Sequence, residues 1–171
     1  MKSSVFTIGY EGAELPTFLA TLASTGIQHL IDVRDVPISR KRGFSKSGLA
    51  VALADIGIGY THLKALGDPK PGRDAMRRGD YSAFLTIYSS HIANDEAKLA
   101  LGLAAKIART QKIVLLCYER SPKQCHRTIV AEKLSALGTF EVRHLGVNDP
   151  AQRSREATCA SNIAAPGPIP A

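Results

Sequence analysis

A three-layer α/β sandwich in a single domain, with a mainly parallel sheet of about five strands and helices on both faces, is the fold this chain predicts. Three observations carry it. Short apolar runs at 5–8, 29–33, 60–63, 113–117 and 140–145 alternate with longer segments of helical periodicity. Such alternation requires parallel strands joined by right-handed crossovers. With 171 residues and 44% apolar content, the chain fills one core and falls short of two.

The first strand closes at Gly9, followed by the polar turn Tyr10-Glu11-Gly12. In the next helix Leu15, Phe18, Leu19 and Leu22 recur at helical spacing, Pro16 suits the first turn and Gly26 the C-terminal cap. Past the second strand, the loop from Arg34 to Ser45 is irregular at Pro37 and Gly43 and holds Arg34, Arg40, Lys41 and Arg42. Ser45 then caps a helix with a core face of Leu49, Leu53 and Ile56, ended by Gly57. After the third strand, 67–74 contains two prolines and two glycines and is expected as loop throughout. Two helices follow, one from Asp80 with Phe84, Leu85, Tyr88 and Ile92 on one face, the other from Asn94 to about Thr110. The fourth strand leads through a polar loop with Pro122 to a helix starting near Cys125 and stopped by Gly138, and the fifth strand comes next. The α/β domain is expected over 1–146, and 147–171, polar and then rich in Pro and Ala, as a mobile tail.

A formal charge of +7 fits polyanionic partners or plain solubility. Three cysteines, and no N-terminal apolar run of signal length, argue for reduced thiols in a cytoplasm. No stretch approaches a membrane span, and no motif calls for a cofactor. Oligomeric state is not specified.

Parallel strands bring their carboxyl ends to one edge, where helix N-termini present unpaired N–H groups to anions. There the sequence places Tyr10 and Glu11, then Asp32 and Arg34, then Cys117, Glu119, Arg120, Cys125, His126 and Arg127. Glu11, Asp32 and Glu119 are candidate acid–base groups, since neighbouring carboxyls push each other's pKa apart. The alternative is structural: Asp32 paired with Arg34 or Arg127, and Glu11 capping a helix. Cys117, close to Arg120 and Lys123, is a candidate nucleophile or sulfur carrier, or else a buried inert thiol that Glu119 would keep neutral. Cys117, Cys125 and His126 are zinc-ligand types, but they lack the close cysteine pairs of structural zinc, so no metal is expected. Tyr10, Arg34, Arg40, Arg42, Arg120, His126 and Arg127 form the candidate anion-binding set, with Lys70, Arg73, Arg77 and Arg78 as a further basic group. Phe44 and Tyr60 read as core or as a surface on which a base stacks.

In order, Thr7-Ile8-Gly9-Tyr10-Glu11-Gly12, Asp32-Val33-Arg34, Gly43-Phe44-Ser45, Leu116-Cys117-Tyr118-Glu119 and Cys125-His126-Arg127 resemble the domain-of-unknown-function 488 family, over about residues 4–146. The resemblance implies an α/β domain of bacteria and archaea and marks positions, without supplying a reaction. The function expected is a cytoplasmic domain whose basic strand-end crevice binds a phosphorylated small molecule or nucleic acid, with hydrolase or transferase chemistry through Glu11, Asp32 or Glu119. Sulfur or redox transfer through Cys117, and a non-catalytic interaction module, are the alternatives. Whether the chain is an enzyme stays open.

Overall fold

The structure, a computed structural model, describes residues 3–147, so the expected tail lies outside the described residues except for Val147. Five strands, β1 (Ser3–Gly9), β2 (His29–Asp32), β3 (Gly59–His62), β4 (Ile113–Cys117) and β5 (Phe140–Leu145), form one all-parallel sheet in the order β3-β2-β4-β1-β5. Among the described residues six α-helices accompany them: α1 (Leu15–Thr25), α2 (Lys46–Ala54), α3 (Lys70–Arg77), α4 (Tyr81–Ile92), α5 (Asp95–Thr110) and α6 (His126–Leu137).

Side-chain alternation along the strands sorts the helices into layers. Phe6, Ile8, Leu30, Val114 and Leu116 pack against Phe18 and Leu22 of α1 and Leu49 and Leu53 of α2. Val5, Ile31, Ile113 and Leu115 pack against α4, α5 and α6 through Phe84, Tyr88, Leu101, Ala104, Val130 and Leu134. Every residue of β4 is buried, as a central parallel strand covered on both faces must be. No helix among the described residues is long and apolar enough to cross a membrane.

The expected loop at 67–74 is a correction: from Lys70 it is helix α3. Pro71 lies in the first turn, where its missing N–H removes no intrahelical bond. A Cβ at Gly72 would stand 2.0 Å from Asp68 Oδ1, so glycine is what allows Asp68 to lie against the helix start. Ser45 precedes α2, yet its hydroxyl serves the preceding loop, accepting from Ser39 N and donating to Ser39 O. Ile56 falls beyond that helix and is exposed. Asp80 and Asn94 cap α4 and α5 by accepting from Ala83 N and Ala97 N.

The end of β1 is held close to the loop after β4. Tyr10 N donates to Cys117 O and Glu11 N to Tyr118 O, and a Cβ on Gly9 would stand 1.8 Å from the Glu119 carbonyl oxygen. Gly9→Ala must push that loop away. It is expected to lower stability by about 2 kcal/mol or more in urea unfolding, and an unchanged midpoint would show the loop free to yield.

Candidate functional site

Because β2, β4 and β1 are consecutive in the sheet, their carboxyl ends meet. Above them opens a crevice of about 970 Å³. Cys117, Glu119, His126 and Asp68 form its deep part, while Arg40, Lys41, Arg73 and Arg77 border it. It lies where open α/β sheets take ligands.

The deep part is a tight polar cluster. Cys117 and Cys125 both donate from Sγ to Glu119 Oε2, at 3.0 and 3.1 Å. Cys117 Sγ lies 3.7 Å from His126 Nδ1, and His126 Nε2 donates to the Val33 carbonyl at 2.7 Å. Tyr88 packs edge-on against the imidazole and donates its hydroxyl to Leu66 O. Burial pushes both thiols up, so they stay protonated at neutral pH. Burial also opposes ionisation of Glu119, but hydrogen bonds from Cys117 and Cys125 outweigh it and hold the carboxyl below its ordinary value. Burial disfavours the His126 imidazolium too, yet contact with Cys125, the Val33 carbonyl and the Glu119 charge favour it and carry its pKa to about 9.

Asp32 and Arg34 stand on the other face of the sheet, with α1 and α2. Arg34 donates from Nε and Nη2 to the two Asp32 oxygens at 2.8 and 2.6 Å, and from Nη1 to Tyr10 Oη and Phe44 O. The Tyr60 hydroxyl and Arg34 N also donate to Asp32, leaving both carboxylate oxygens engaged and the residue fully buried. Burial opposes the Arg34 charge, but Asp32 holds it well above its ordinary value. Tyr10 stacks on buried Phe44 at 4.5 Å, so Phe44 is core and offers no face to a base. Both Tyr10 and Arg34 still border the crevice, as part of its wall.

The remaining candidates divide further. Arg127 is fully buried and donates to Thr7 Oγ1 and to the carbonyls of Glu119 and Arg120, facing the interior rather than a ligand. Glu11 is exposed and accepts from Arg120 N, and the two residues line a separate cavity of about 120 Å³. Arg40 borders the main crevice, whereas Arg42 lies outside its lining. One residue that motif reading passed over belongs to it, Asp68, and Arg73 of the further basic group joins it there, donating to Asp35 and to the Asp68 carbonyl. An aspartate between Gly67 and Pro69 reads as turn chemistry, and only the unexpected helix α3 turns it inward.

The fold and the crevice together define a class: an all-parallel α/β domain with a crevice at the carboxyl ends of its central strands. A family model, domain of unknown function DUF488, matches residues 14–134, and the chain belongs to that family. The match runs from the approach to α1 into α6 and includes Asp32, Cys117, Glu119 and His126. No match emerges among curated proteins or solved structures.

Two outcomes follow from these networks. Arg34→Met leaves Asp32 buried without its cation and is expected to lower stability by about 3–5 kcal/mol in chemical denaturation, with partial recovery on adding Asp32→Leu. An Arg34→Met protein as stable as the parent would show that the pair is dispensable. Asp68 is buried, and its Oδ1 has no hydrogen-bond partner among the described residues. Burial raises its pKa from 3.8 to about 6, helped by Glu119 and Asp35 and opposed by His126 and Arg73. Between those values the folded chain holds a proton that the unfolded chain has lost, so stability falls as pH rises through that window and stays lower above it. Asp68→Asn is expected to remove this loss, gaining up to about 3 kcal/mol at pH 7 and nothing below pH ~3.5. Parallel stability–pH curves for the two proteins would refute the assignment.

Proposed function

We propose that this chain is a cytoplasmic hydrolase or transferase that takes a phosphorylated small molecule of about nucleotide size into the strand-end crevice. The observation that carries this reading is a basic border of Arg40, Lys41, Arg73 and Arg77 around carboxyl, imidazole and thiol groups. A volume of about 970 Å³ suits a single compact ligand. Arg40 is exposed and makes no ion pair with any described residue, so its guanidinium is available to a phosphate. Lys41 and Arg77 are held at the surface by Glu14 and Asp74, in contacts too weak to compete with a dianion. Exposed Val36, Ile38 and Tyr118 supply apolar and ring surface for the rest of the ligand.

Glu119 and Asp68 are the carboxyl groups placed to exchange protons with a bound molecule, since Asp32 is spent on Arg34, Asp35 is paired with Arg73 and Glu11 faces the smaller cavity. Sulfur transfer through Cys117 is favoured by the 3.7 Å contact with His126. It is opposed by burial of the thiol, which stays protonated and donates a hydrogen bond to Glu119.

Calorimetric titration at low salt with a nucleoside triphosphate, inorganic phosphate and a single-stranded oligonucleotide tests the reading. The nucleotide is expected to bind, with affinity falling about tenfold in Arg40→Ala and falling again as salt rises. Failure of every phosphorylated probe to bind would overturn it. Binding of the oligonucleotide alone would replace it with a nucleic-acid function.

A further inference from the structure

We propose that Cys117, Cys125 and His126 form a binding site for a divalent cation of the zinc class at the floor of the crevice. One ligand atom from each residue lies within 4.8 Å of the other two. The contact between Cys117 Sγ and His126 Nδ1 is 3.7 Å. Around a tetrahedral zinc, with bonds of about 2.3 Å to sulfur and about 2.0 Å to nitrogen, neighbouring sulfur and nitrogen ligands stand about 3.5 Å apart. The pair therefore has the edge length that such an ion requires.

The imidazole is oriented as a ligand would be. Its Nε2 donates to the Val33 carbonyl, the outer-shell bond that aims the opposite nitrogen of a metal-bound histidine, and here Nδ1 is the atom left facing Cys117. Cys117 ends β4, Cys125 is the last residue before α6, and His126 is its first. All three are buried, two of them on regular elements and Cys125 at the helix cap, so the folded chain already holds them together. Two sulfurs and an imidazole select zinc-class ions over magnesium or calcium, which demand oxygen.

Three ligands and a crevice leave the fourth position open, unlike a closed structural zinc site with four protein ligands. Cys117 and His126 border the crevice, so the open position faces it, with the Glu119 carboxylate beside the sulfurs. A His-Cys-Cys ion with a neighbouring glutamate that is not a ligand is suited to activating water. The cation site stands on the cluster alone. Its use in hydrolysis rests on the crevice reading above.

The test uses the full chain, reduced and stripped with a chelator, then titrated with Co²⁺ and Zn²⁺. One ion per chain is expected, with the cobalt–thiolate charge-transfer absorption and the visible bands of tetrahedral cobalt. Cys117→Ser and Cys125→Ser should each weaken binding about a hundredfold or more, and Cys159→Ser should leave it unchanged. Bound zinc should slow alkylation of Cys117 and Cys125 but not of Cys159. If His126→Ala does not fold, the serine variants, each changing one atom, carry the result. Absence of the thiolate band, unchanged affinity in both serine variants, or unprotected cysteines would each overturn the proposal. Nucleotide titration of the same samples separates the two readings: cation binding without nucleotide binding keeps this site and removes the crevice function, and the reverse result does the opposite.

Discussion

One buried guanidinium, that of Arg127, holds the loop on which the floor of the crevice depends. Its guanidinium is fully buried and makes no ion pair with a described residue, so its charge is met by neutral oxygens: Thr7 Oγ1 and the Glu119 and Arg120 carbonyls. A buried guanidinium is tolerable only when its donors are satisfied, which obliges those two carbonyls to point inward. The loop is thereby drawn against the end of β1, where only glycine leaves room for it. The Glu119 side chain then reaches both cysteines. Thr7 extends the same network to His144 of β5 through a 2.7 Å bond, and burial and the Arg127 charge hold that imidazole below its ordinary pKa.

The end of β2 does two structural jobs, one on each side of the sheet. Asp32 and Arg34 close a bidentate pair on the α1 and α2 side and brace Tyr10, Phe44 and Tyr60. Val33, between them, donates its N–H to Leu116 O and accepts from His126. The wall of the crevice and the aim of its imidazole are therefore set by three successive residues. Displacing one disturbs the other.

The strands were legible because short β-branched runs are distinct from helical periodicity, and their positions agree with the sheet to within a residue or two. Helix α3 was not legible, since prolines and glycines look alike whether they break a helix or open one. For the site, the sequence marked the strand ends and most of the residues that meet there. It could not sort the arginines: Arg34, Arg40 and Arg127 are chemically identical, and only burial separates two structural braces from one exposed side chain. Spacing also argued against a metal at Cys117, Cys125 and His126, because the structural-zinc pattern counts close cysteine pairs, whereas these three meet where the start of α6 lies against the end of β4.

The sheet order also governs how the chain can come together. β1 and β2 never pair with each other; each pairs with β4, which is inserted between them. Before that strand arrives, the amino-terminal third can close only the local β2–β3 pair, and β1 has no neighbour in the sheet. The central sheet must wait until the chain from β3 through α5 has brought residue 113 back, a long loop closure of the kind that slows folding. Cys117 is the last residue of the inserted strand, so the floor of the crevice forms only with the final docking of the core. Partly folded forms, including those present during synthesis, hold none of it in place.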